Sequence, residues 1–217
     1  MCENQQMEKN GYTIRKAKKC DAEAYYEQNF NPLDKEVARL TATKKVFTKE
    51  EVVSSFIRFA EDEERTFFLI IAPDGRIIGE SVINELDFEM RCANFRIAIF
   101  DKDEWGKGIG TWAVEVTRDY AFEVLQLHRL ELSVLSFNPR AKRVYEKVGF
   151  QVEGVLRDAV LDDGCYADEI LMAILEDEWR SFYGKKYFYR RNTGNWKNNI
   201  TSFIGTTVVR VSGLLGG

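Results

Sequence analysis

The chain has 217 residues, 45% of them hydrophobic, with 31 Lys and Arg against 35 Asp and Glu for a formal net charge of −4. This suits one enzyme-sized domain with a substantial core; no run of about 18 uninterrupted apolar residues marks a membrane span, and the first residues lack an apolar signal core, so cytoplasmic residence is expected. The four cysteines, Cys2, Cys20, Cys92 and Cys165, are scattered beside a single histidine, His128, so a disulfide framework, a metal site and a Cys/His nucleophile all lack support.

Residues 12–15 read as a short strand, and Asp21 precedes a helical stretch through Tyr25, Tyr26 and Phe30. Thr48-Lys49-Glu50-Glu51 is a capping box, with Thr48 placed to cap and Glu51 to reach back, and it opens a second helix through Phe56 and Phe59. Residues 67–72 and 76–85 are strand-like runs joined across Pro73-Asp74-Gly75, and residues 86–100 continue as two further strands.

The stretch Trp105-Gly106-Lys107-Gly108-Ile109-Gly110 follows a strand-like run and opens an amphipathic helix carrying Trp112, Ala113, Val116, Tyr120 and Val124 at helical spacing. Alternate glycines let the backbone turn tightly, and the helix start aims free N–H groups and the positive dipole end at one point, so a pyrophosphate is the expected occupant. A Walker loop is excluded, because Lys107 lies between the glycines and no Ser or Thr follows it directly. The dinucleotide fingerprint fails when counted from Gly106, where Thr111 replaces the third glycine, and survives only from Gly108 with Ala113 closing it.

A strand-like run at residues 130–135 leads into Asn138-Pro139-Arg140-Ala141-Lys142-Arg143-Val144-Tyr145-Glu146-Lys147-Val148-Gly149-Phe150. Asn138 is a good N-cap, Pro139 suits the first helical position and Gly149 supplies a left-handed stop. Asn138, Ala141 and Tyr145 return to nearly the same side of this helix, a face along which a long thin ligand can lie. Residues 151–161 and 165–175 form a last hairpin around Asp162-Asp163-Gly164. The order of elements fits one mixed sheet with helices on both faces.

The two motifs, in this order and separation, resemble those of the GCN5-related N-acetyltransferases, in which Gln/Arg-x-x-Gly-x-Gly/Ala is followed by Asn-x-x-Ala-x-x-x-Tyr-x-x-x-Gly-Phe. The resemblance covers residues 12–179 and is greatest for the branch of ribosomal-protein N-terminal and spermidine acetyltransferases. One departure is Trp105, which stands where the pattern has Gln or Arg. The resemblance implies an α+β fold, a mixed and mostly antiparallel twisted sheet of six to seven strands flanked by helices on both faces. It also implies acetyl-CoA as co-substrate, direct transfer in a ternary complex, and no required metal. Gly106, Lys107, Gly108, Ile109, Gly110 and Thr111 would hold the pyrophosphate, and the backbone of Ile97, Ala98 and Ile99 would hold the pantetheine and acetyl carbonyl. Asn138, Ala141 and Lys147 complete the cofactor set. Tyr145 matches the tyrosine placed near the thioester sulfur, as general acid or anchoring donor. Glu85 matches a carboxylate at the acceptor site of the spermidine branch, with Glu80 on the same strand run.

Residues 180–217 carry seven basic residues and no Asp or Glu, leaving 24 basic against 35 acidic residues in 1–179. A domain over 1–179 and a basic tail over 180–217 are therefore expected. Aromatics among the basic residues would allow nucleic-acid contact, but an accessory tail is the favoured reading and nucleic acid the disfavoured partner. The acceptor is expected to be a small-molecule or peptide amine, with no membrane partner, and a homodimer is left open. Lys44, Lys45 and Lys49 in residues 41–51, beside the expected acceptor cleft, oppose a polycation, so an N-terminal or other single primary amine is favoured over spermidine. The alternatives of another class are a non-catalytic acyl-CoA sensor and an RNA- or ribosome-binding module using the tail.

Overall fold

Asn10 and Gly11 both take positive φ, 53° and 83°, and fold β1 (Gln6–Lys9) onto β2 (Tyr12–Lys16) in an antiparallel hairpin. Two consecutive left-handed residues match the right-handed twist of paired strands, which is why Asn-Gly is favoured there. The computed structural model describes residues 6–43 and 45–181. After β2 come α1 (Ala22–Asn29), α2 (Lys35–Leu40) and α3 (Lys49–Ala60), then β3 (Thr66–Ile71), β4 (Ile77–Asp87) and β5 (Cys92–Ile99). The chain continues with α4 (Ile109–Glu123), β6 (Arg129–Leu135), α5 (Pro139–Lys147), β7 (Gln151–Asp162) and β8 (Cys165–Leu175).

The strands form one eight-stranded sheet in the order β1-β2-β3-β4-β5-β6-β8-β7. Every neighbouring pair is antiparallel except β5 and β6. The count exceeds the expected six to seven because β1 is a polar run that hydrophobic patterning does not reveal. Residues 86–100 hold one strand and the end of another where two full strands were expected. β4 runs on to Asp87, whose carboxylate accepts from the N–H groups of Glu89 (2.9 Å) and Met90 (2.8 Å) to close a tight turn into β5.

Successive residues of β3 point to opposite faces, and they find different partners. Phe67 packs with Tyr25 of α1 and Phe56 of α3, while Phe68 meets the ring of Tyr120 in α4 edge-on at 5.2 Å. Helices therefore cover both faces. The capping box of α3 is present as its sequence indicates, Thr48 accepting from Glu51 N–H and Glu51 from Thr48 N–H.

The central helix α4 is buried along most of its length and encloses an ion pair. Arg118, 1% exposed, donates to Asp119 and to the Val148 carbonyl at the end of α5, and Trp179 Nε1 donates to the same Asp119 oxygen at 3.0 Å. Burial pushes the Asp119 carboxyl upward against its partners' opposing pull. Arg118→Met should lower stability by about 3–5 kcal/mol, because it strands a buried carboxylate. The urea midpoint measures this, and adding Asp119→Asn should recover part of the loss; an unchanged midpoint in the single variant would contradict the role given to the pair. Of the basic segment 180–217, residues 182–217 lie outside the described residues.

Candidate active site

Asp101 accepts from Asp103 N–H (2.9 Å) and starts a short turn that ends at Trp105. The Trp105 indole N–H donates to the Ile99 carbonyl at 3.0 Å, tying the loop to the end of β5. Gly106 and Gly108 take φ of 78° and 82°, a conformation that costs glycine nothing. Gly108 is the N-cap of α4 and has no side chain to accept from its first turn. The N–H groups of Ile109, Gly110 and Thr111 consequently have no acceptor within the helix, and the dipole adds positive potential where they point. Gly110 is helical, and a Cβ there would reach Ile99 Cγ1 at only 3.8 Å, so its lack of a side chain keeps the approach open without being needed for the turn.

β5 and β6 are paired only through residues 92–94 and 129–131. Beyond these rungs the strands part, and both line a cavity of about 840 Å³, within the range of small-ligand pockets. Phe100 N–H donates to the Ile78 carbonyl at 2.8 Å. By the alternation of an antiparallel ladder, even-numbered residues of β5 bond to β4 while Ile97 and Ile99 turn their N–H and C=O into the parting. Ala98 lines the cavity between them but directs its carbonyl at β4, where a Cβ on Gly79 would stand 2.5 Å from it.

Across the parting lies α5. Asn138 accepts from Ala141 N–H (3.1 Å) and caps the helix, and Gly149 ends it at φ 103°. Tyr145 is 7% exposed, its ring edge-on to Phe95 and Phe150, yet its hydroxyl has no hydrogen-bonding partner among the described residues. Burial pushes its ionisation well above the ordinary phenol value, so the proton stays on. Asn138, Ala141, Tyr145 and Lys147 all line the cavity, as do Ile97, Ala98, Ile99, Gly106, Gly108, Gly110 and Thr111. Lys107 and Ile109 do not: Lys107 Nζ pairs at 3.1 Å with the buried Glu104, which also accepts from Tyr12, and Ile109 is 5% exposed in the core. Arg140 lays its guanidinium over the Trp105 ring, 3.6 Å from the centroid, a contact no motif announces.

At the other end of the cavity the two carboxylates expected on this strand run are placed differently. Glu85 is exposed, has φ of 54° at an irregularity between Asn84 and Asp87, and does not line the cavity. Glu80 lies opposite Ala98, is 8% exposed and lines the cavity, accepting from Tyr25 OH at 2.5 Å with Arg96 Nη2 at 3.6 Å. Glu80 lies within the regular ladder, whereas Glu85 falls in the irregular stretch where the pairing breaks. Burial and the Glu80 charge raise Tyr25 well above its ordinary range, so it remains a donor. Thr41, Ala42, Thr43, Phe47 and Glu51 border the cavity as expected, whereas Lys44 is outside the described residues. Lys45 pairs with Glu51 (2.6 Å), and Lys49 with Glu23 (2.6 Å) and Glu27 (3.0 Å).

Comparison with known proteins agrees with this geometry. The profile described as Acetyltransferase (GNAT) domain matches residues 12–151. The chain is 38% identical over 121 residues to a probable N-acetyltransferase, YjcK, of Bacillus subtilis, covering 56% of this chain and 67% of that protein. It is 34% identical over 119 residues to the spermidine N(1)-acetyltransferase of Escherichia coli K12, covering 55% of this chain and 62% of the relative. Among solved structures, the Vibrio cholerae spermidine N-acetyltransferase in complex with CoA and spermine superposes with a TM-score of 0.70 at 25% identity, over 79% of this chain and 99% of that one. With its glycine loop, its parted strands and its sequence in accord, the chain belongs to the GNAT family of acetyltransferases.

Proposed function

We propose that acetyl-CoA lies with its pyrophosphate on the N–H groups of residues 106–111, its pantetheine along the edge of Ile97 and Ile99, where the Ile99 carbonyl is already held by Trp105, and its thioester beside Tyr145, and that the acetyl group passes directly to a single primary amine. The observation that carries this reading is that an unpartnered phenol and a buried carboxylate, Tyr145 and Glu80, face one cavity from either side of β5. In the transfer the amine nitrogen bonds to the carbonyl carbon and the carbon–sulfur bond breaks. One proton leaves the amine toward Glu80 and one reaches the sulfur from Tyr145, giving an N-acetyl amide and the CoA thiol. The edge N–H groups polarise the carbonyl as charge develops on its oxygen.

The amine must be neutral to attack. An α-amine, with an ordinary pKa near 8, costs about 3 kcal/mol less to deprotonate at neutral pH than a lysine-type amine near 10.4. Glu51, Glu80, Glu104 and Glu169 line the cavity, and each already has a partner, respectively Lys45, Tyr25, Tyr12 and Ser133. Of these only the Lys45 partner of Glu51 neutralises charge that a polycation would use. The spermidine acetyltransferases among the relatives favour polyamine acetylation as the second reading.

Glu80→Gln should lower kcat/KM for the amine by about 10²- to 10³-fold at neutral pH, the scale of a lost general base. The deficit should shrink as pH rises, because solvent then deprotonates the amine in its place. A thiol-release assay across pH measures both effects; wild-type rates in this variant at neutral pH would remove Glu80 from the mechanism.

A further inference from the structure

The acceptor end of the cavity sets a cation, Arg96, beside its buried carboxylate, Glu80. On the α3 face of the sheet, one rung sets Leu69, Glu80 and Ala98 side by side and the next sets Phe67, Val82 and Arg96. Arg96 is thus a diagonal neighbour of Glu80; its side chain is 50% exposed, and it lines the cavity. At 3.6 Å its Nη2 is ion-paired with Glu80 Oε1 but too far for a hydrogen bond, and it makes none among the described residues, so its N–H donors can still take a hydrogen-bonding anion. Arg65 adjoins the same face just before β3, with its guanidinium 4.1 Å from the centroid of Phe59, a cavity-lining ring. The Arg65 Nε is buried with no hydrogen-bonding partner, and so is Oδ1 of Asn84. Burial, and then the charge of Arg96, lower the Arg65 guanidinium, against the opposing pull of Asp62, whose Oδ2 lies 3.6 Å from Arg65 Nε, and of Glu80.

Resting on the acetyl-transfer reading above, we infer that the acceptor carries a carboxylate one carbon from its reactive nitrogen: it is a free α-amino acid with an apolar side chain. Glu80 and Arg96, 3.6 Å apart, present the two charges that an ammonium and an adjacent carboxylate require, and a guanidinium binds a carboxylate through paired donors. Because Glu80 is opposite Ala98, the nitrogen so held lies next to the edge of Ile97 and Ile99 where the acetyl carbonyl is placed. The rings of Tyr25, Phe30, Phe56 and Phe100 line the same cavity and suit an apolar side chain. A polyamine offers Arg96 only repulsion, and a peptide N-terminus offers it a neutral carbonyl.

The test compares L-phenylalanine, L-phenylalaninamide and spermidine in a thiol-release assay with acetyl-CoA, with rates expressed per neutral amine. Phenylalanine should exceed its amide in kcat/KM by about 10- to 100-fold, the worth of a hydrogen-bonded charged group. In Arg96→Gln that ratio should collapse toward one, and Arg96→Lys, which keeps the charge and loses the paired geometry, should fall between. Equal rates on acid and amide in the wild type, or a ratio that survives in Arg96→Gln, would overturn the inference. Turnover of the amide or spermidine without turnover of the acid would overturn it while leaving acetyl transfer to an amine intact. Tight acetyl-CoA binding with no thiol release from any amine would overturn both.

Discussion

Gly110→Asp should weaken acetyl-CoA binding by about a hundredfold or more, since a like charge set against a bound pyrophosphate costs several kcal/mol. The position is well suited to the experiment because Gly110 has helical backbone and an added Cβ meets only a side-chain carbon at 3.8 Å. Asp at that position is therefore compatible with the fold, and its carboxylate enters the space before the free N–H groups of α4. Gly108→Val would also disrupt the loop, but it places a β-branched residue at φ 82°, which confounds binding with backbone strain. Calorimetry with acetyl-CoA, beside a circular dichroism spectrum matching the wild type, makes the measurement. Unchanged affinity in folded Gly110→Asp would place the cofactor elsewhere.

Tyr145→Phe should reduce turnover by about ten- to a thousandfold with acetyl-CoA affinity little changed, as expected for loss of one acid or anchoring donor. The ring keeps its contacts with Phe95 and Phe150, and the deleted hydroxyl has no protein partner to leave stranded, so thermal stability should stay close to wild type. A pH profile adds a sign. The folded-state ionisation of Tyr145 is raised above the ordinary 10.0, so the protonated form persists beyond that pH. Wild-type turnover should show no decline through the ordinary phenol range from this group. Full activity in Tyr145→Phe would reduce the residue to packing.

Much of the cofactor half was legible because its chemistry is backbone chemistry, and backbone conformation is written in Gly106, Gly108, Asn138 and Gly149. Turn and cap residues declare their φ and hydrogen bonds locally, and the structure places them as expected. The departure at Trp105 was legible as a departure only; that its N–H holds the Ile99 carbonyl and its ring carries Arg140 depends on residues far apart in sequence. The acceptor half was harder because its side chains gather from β4, β5, α1 and α3. Nothing local in the sequence announced the irregularity between Asn84 and Asp87 that sets Glu85 apart from Glu80. The lysines of residues 41–51 read as free charge in sequence, but Lys45 is held by Glu51 six residues on, and Lys49 by Glu23 and Glu27, contacts that arise only once α1 and α3 pack together. β1 escaped notice although Asn10-Gly11 marks its turn, since a polar strand carries no hydrophobic period.

The most direct test of direct acetyl transfer is the release of CoA thiol from acetyl-CoA, followed together with the mass of the amine and of the protein across a panel of amino acids, peptides and polyamines. Thiol and N-acetylated amine should appear in equal amounts, only when an amine is present, with the protein's mass unchanged throughout. Acetyl-CoA binding without thiol release for any amine would make the chain a sensor of acyl-CoA, and an acetylated protein formed before amine is added would contradict direct transfer.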